Sequence, residues 1–157
     1  MLQILLALNH VTESLEPLKK EIALAPDAER DAIINLIPRH YARVSDKKRA
    51  VTVAQQALEP YLNKSNTTGA VAWTSLGRLR LASDDGAGAL EAAKKGQAAD
   101  IKAQGPTLLA MELMGKKVTE AEPLVQQGLR KQDGTEMAMS YVRVLICLLY
   151  TSDAADD

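Results

Sequence analysis

Four sets of residues at positions i, i+4 and i+7 recur along the chain. They are Ser14-Leu18-Glu21, Ala50-Ala54-Ala57, Ala89-Ala93-Gly96 and Ala121-Val125-Gly128. Those three positions share one face of an α-helix. The last three sets are built almost entirely of small residues, so a second helix can come close to that face. The sets start 36, 39 and 32 residues apart, which is the period of stacked helical hairpins. The predicted fold is therefore all-α, an α-α superhelix (solenoid) of antiparallel helical hairpins.

The composition agrees with that packing. Aromatic residues make up 3% of the chain and Phe is absent, so Leu, Ala, Ile, Val and Met must fill the core. Small residues between helices make such an economy workable. The formal net charge of −1, from 19 Lys and Arg against 20 Asp and Glu, points to neither nucleic acid nor an acidic lipid surface. No run is long enough and apolar enough for direct insertion into a membrane.

The end of the chain breaks the pattern. Residues Cys147 to Asp157 read CLLYTSDAADD, a string that resembles the in-frame translation of a transposase-type sequencing adapter. Residues 1–146 are accordingly taken as the helical-repeat domain, and 147–157 as an artefactual or disordered tail. Cys147, the single cysteine, goes with the tail, which leaves no disulfide framework. The opening MLQILLALNH lacks a basic leading region and a small-residue cleavage site. It reads as the end of a truncated helix, so the repeat domain is expected to be incomplete at both ends.

Local signals divide the chain further. Asn9-His10-Val11 makes a tight connection, and Thr12 is the expected N-cap of a helix that stops at Pro26. A helix begins at Asp27 and is expected to kink or break near Ile37, ahead of Pro38. Ser45-Asp46 caps a helix ending at Pro60, and 63–69 forms a loop. Residues 70–82 form a helix carrying Trp73, and the next helix follows Asp84-Asp85-Gly86. Pro106 starts another. Thr119 and Glu122 stand at capping-box spacing. Asp133-Gly134 separates the last two helices, and the final one is predicted over 135–145. No stretch alternates β-branched and aromatic residues as a strand would.

Few residues point to bond-making chemistry. His10 and His40 lie thirty residues apart with no carboxylate pair at metal-ligand spacing. Gly86-Ala87-Gly88 is too short for a phosphate loop. Nothing resembles a nucleophile elbow. Lys47-Lys48-Arg49 reads as a solvated face, and Met111, Met114, Met137 and Met139 fall at spacings that fill a core. No enzyme activity, cofactor or metal is expected.

The segment from Ala70 to Ile101 resembles a tetratricopeptide repeat. Trp73, Leu76 and Gly77 match the start of the family's first helix, and Ala89, Ala93 and Gly96 match its second. Ser14 and Pro26 echo the same pattern in the first hairpin, and Tyr141 and Leu145 echo it in the last. The resemblance implies a buried Trp73 and a concave groove lined by first helices. Carried over, it places Thr74, Arg78, Met139 and Arg143 on that groove, with the two arginines available to carboxylates of a ligand. It implies a non-catalytic scaffold for a peptide or protein partner. A substrate-presenting or regulatory arm of an enzyme is the alternative, and a purely structural assembly role a third. Among relatives, the pattern is most similar to degenerate repeat proteins of bacterial cell envelopes. Oligomeric state and partner identity are not legible.

Overall fold

The computed structural model describes residues 1–132 and 134–153. Nine α-helices and one 3-10 turn are found among them: α1 Leu2–Ala7, α2 Leu15–Leu24, α3 Asp27–His40, α4 Lys47–Leu62, α5 Thr67–Ala82, α6 Gly86–Ala99, α7 Gln104–Gly115, a 3-10 turn Thr119–Ala121, α8 Glu122–Lys131 and α9 Thr135–Asp153. No strand occurs among the described residues.

The helices stack in two layers. In one layer α3 packs on α5, α5 on α7 and α7 on α9; in the other α2 packs on α4 and α6 on α8. The layers are stitched by α5 against α6, by α7 against α8, and by α4 and α6 against the helix that follows each. This is an all-α stack of antiparallel hairpins. Its core falls into two clusters, one running from Leu2 to Leu79 and the other from Ala89 to Met137.

The small-residue sets are the seams of this stack. Every member is buried except Glu21, which is exposed. At Gly96 an added Cβ would sit 2.9 Å from Pro106 Cγ and 3.2 Å from Trp73 Cβ. At Gly128 it would collide with the Thr107 side chain, lying 2.7 Å from Cγ2. At these two points glycine is the residue that lets neighbouring helices close up.

Asp46, Asn66 and Asp85 cap α4, α5 and α6, accepting from the backbone N–H of Arg49 (2.9 Å), Gly69 (3.1 Å) and Gly88 (2.8 Å). The Asn66 cap starts α5 at Thr67, three residues ahead of the predicted Ala70. Ser14 rather than Thr12 precedes α2, without a side-chain cap. Thr119 and Glu122 do not form a capping box; a 3-10 turn leads into α8 instead. Asn9 takes a positive φ of 61° and ties its turn to the segment just ahead of α4, donating to Ser45 Oγ at 2.8 Å and accepting from Ser45 N–H at 3.2 Å.

Two prolines expected to end helices lie inside them. Pro38 sits in α3, which continues to His40, and Pro60 sits in α4, which continues to Leu62. A proline leaves the carbonyl four residues earlier without its helical donor. For Pro38 that carbonyl belongs to Ile34, and the buried Ser75 hydroxyl of α5 donates to it at 2.7 Å. For Pro60 it belongs to Gln56, an exposed residue whose carbonyl water can reach.

The last helix departs most from expectation. Instead of stopping at Leu145, α9 runs unbroken to Asp153, and the half-buried Leu145 and Leu148 both pack on the second core cluster. Residues 147–153, read from the sequence as part of an artefactual or disordered tail, are helical here. Residues 154–157 and Asp133 lie outside the described residues. Among those described, no helix is long and apolar enough to cross a membrane.

Candidate functional site

The four residues assigned to a groove have three different fates. Thr74 is buried, 1% exposed, with its hydroxyl donating to the Ala70 carbonyl at 2.8 Å. Its side chain fills the space over Gly105 of α7, where a Cβ would come 3.2 Å from Thr74 Cγ2. Thr74 therefore belongs to the α5–α7 seam and is withdrawn from the binding surface. The residue type gave no warning, because threonine suits an exposed helix face as well as a seam opposite glycine.

Arg78 does reach the surface of α5, but it is already engaged. Its Nε and a terminal nitrogen both donate to Glu112 Oε1 of α7, at 3.1 and 2.9 Å. The pair is partly exposed and bridges two helices of one layer. Any ligand carboxylate would have to compete with Glu112. Met139 and Arg143 lie on the outer face of α9 and are both exposed. Arg143 makes no ion pair or side-chain hydrogen bond among the described residues. Val142 and Ile146 are exposed beside them, at 47% and 46%, which makes this face apolar with a free guanidinium in it.

Of the remaining sequence candidates, three methionines and Trp73 pack within the fold. Met111, Met114 and Met137 are buried, and Met139 alone of that group is exposed. Trp73 is half-buried; its indole N–H donates at 2.8 Å to the carbonyl of Leu62, the last residue of α4. The Lys95 ammonium stands 4.7 Å from the centroid of its ring. His10 faces Glu13 at 3.4 Å. No group of three or more metal-ligating side chains occurs among the described residues.

Sequence reasoning missed two features. One is Tyr41, fully buried, with its hydroxyl 2.7 Å from Ser14 Oγ, which itself donates to the Val11 carbonyl at 2.6 Å. Burial pushes the Tyr41 phenol above the ordinary tyrosine value, against a smaller opposing effect of the Ser14 hydrogen bond. The other is a groove of about 670 Å³ between α1 and α3, which carries Arg39, His40 and Arg43. A basic end to α3 was visible as residues. Its juxtaposition with α1 was not.

No family model matches the chain, and no significant match was found among curated proteins or solved structures.

Proposed function

We propose that this protein is a non-catalytic scaffold of tetratricopeptide type that holds a peptide or protein partner on its helical surface. The observation that carries the reading is the outer face of α9. Met139, Val142, Arg143 and Ile146 recur there at helical spacing, all exposed, with a guanidinium that is unpaired among the described residues set between apolar side chains. Such a mixture supplies both desolvation energy and a directional charge for recognition. The seam at Gly96, closed by Trp73 and Pro106, supports the repeat type. The absence of a bond-making constellation from the sequence motifs is in keeping with a binding role.

The test is selection of a peptide library on the folded chain, followed by titration of enriched peptides by fluorescence anisotropy. Met139→Ala/Arg143→Ala is expected to abolish saturable binding of those peptides, while Arg78→Ala has a smaller effect because Glu112 already occupies that side chain. A library from which no peptide binds saturably would sink the scaffold reading. Retained affinity in the α9 double variant would remove that face from the site.

A further inference from the structure

α1 and α3 belong to consecutive hairpins but do not pack closely, and the gap between them is a groove of about 670 Å³. That volume lies within the range of small-ligand and peptide-side-chain sites. Leu6 on α1 and Leu36 on α3 supply apolar lining, Leu36 being 42% exposed. Gln3 offers an amide at one wall. Arg39, in the last turn of α3, and Arg43, in the turn beyond, supply the charge, and His40 lines the groove beside them.

This groove brings two guanidiniums into one concavity. Arg39 and Arg43 are exposed, and neither has an ion pair or side-chain hydrogen bond among the described residues. Three arginines elsewhere are held in place: Arg30 by Asp27 and the Ala25 carbonyl, Arg78 by Glu112, Arg80 by the Gly88 carbonyl and Gln55. No carboxylate among the described residues lines the groove. A concavity with apolar lining and uncompensated cations complements a ligand of opposite charge with an apolar side chain. Guanidinium forks match carboxylates in particular, since both are planar and pair through two parallel hydrogen bonds.

From this we infer that the α1–α3 groove binds an acidic peptide segment, with carboxylates on Arg39 and Arg43 and an apolar side chain between Leu6 and Leu36. The assignment rests on the scaffold reading and gives it a second, charge-selective site, separate from the α9 face.

The experiment is a titration of the full chain, isotopically labelled for NMR, with the peptide Glu-Leu-Glu-Leu and its amide counterpart Gln-Leu-Gln-Leu. With the acidic peptide, amide signals of Gln3, Leu6, Leu36, Arg39 and Arg43 should move saturably, and less as salt is raised. The amide peptide should bind at least about tenfold more weakly, as should the acidic peptide to Arg39→Gln/Arg43→Gln. Both substitutions are at exposed positions, so the variant should keep the native spectrum elsewhere. Equal binding of the two peptides, undiminished binding in the variant, or shifts confined to other residues would each overturn the assignment. So would concentration-dependent shifts of the groove signals without peptide, which would make a second copy the occupant. If groove binding fails while library peptides still bind through Met139 and Arg143, only this assignment falls. If no library peptide binds either, the scaffold reading falls with it.

Discussion

The Ser75 hydroxyl donates to the Ile34 carbonyl, the acceptor that Pro38 leaves without its helical partner. One hydrogen bond between α5 and α3 thus does for Ile34 what an N–H at position 38 would otherwise do. It explains why a proline can lie inside a helix here without breaking it.

Removing that donor should expose the debt. Ser75→Ala is expected to cost about 1–3 kcal/mol, the penalty for a buried acceptor left unsatisfied. In a Pro38→Ala background the restored N–H can serve Ile34, so the same Ser75→Ala change should cost distinctly less. Urea denaturation of the four proteins forms the cycle. Equal costs in both backgrounds would show that Ser75 acts by packing alone.

Gly128→Ala should destabilise by about 1–3 kcal/mol, the range for overpacking a tight site. The new methyl would meet the Thr107 side chain, with Cβ–Cβ at 2.9 Å. Thr107→Ser, which removes Cγ2 but keeps the hydroxyl that accepts from Gln132 at 3.2 Å, should recover only part of the loss. Gly115 supplies the control: an added Cβ there meets nothing within 4 Å. Gly115→Ala should be neutral or stabilising by up to about 1 kcal/mol. Thermal melts of the three variants decide the point.

Tyr41 makes stability sensitive to alkali. Its phenol is neutral and buried in the folded chain, with a raised pKa, whereas in the unfolded chain it titrates near the ordinary value of about 10. Its contribution is therefore complete below about pH 10 and is lost as pH rises through the higher folded value. Tyr41→Phe should cost about 1 kcal/mol at neutral pH through the lost bond to Ser14. It should also flatten the alkaline limb relative to the parent. Denaturation midpoints across pH 8–11 measure both, and an unchanged alkaline slope would exclude Tyr41 as its source.

The Arg78–Glu112 pair should matter little for stability. Both side chains are partly exposed, and such pairs are worth about 0–1 kcal/mol in solvent. Glu112→Ala should therefore leave the melting curve nearly unchanged while freeing Arg78 for a ligand. If Arg78 belongs to a binding surface, selected peptides carrying carboxylates should bind this variant more tightly. Unaltered affinity would leave Arg78 as a bridge between α5 and α7 only.

Much of the helical architecture was legible because it is local. The i, i+4, i+7 spacing puts residues on one face whatever their neighbours do, and a face of Ala and Gly admits a close helix. Ala50, Ala54, Ala57, Ala89, Ala93, Gly96, Ala121, Val125 and Gly128 are all buried accordingly. The caps at Asp46 and Asp85 are equally local, being set by a side chain and an N–H three residues on.

What lies between helices needed the folded chain. Whether a proline ends a helix depends on who can serve the freed carbonyl: Ser75 for Ile34, and the solvent side for Gln56. Thr74 went into the seam because Gly105 lies opposite, and Arg78 met Glu112 because α5 and α7 are neighbours. The exposed Met139 and Arg143, and the groove that brings α1 against Arg39 and Arg43, likewise exist only once the hairpins are stacked. Periodicity along the chain determined which faces are buried, because helix geometry repeats with the covalent backbone. Tertiary structure decided which polar groups remain free, because that depends on side chains far apart in sequence competing for the same partners.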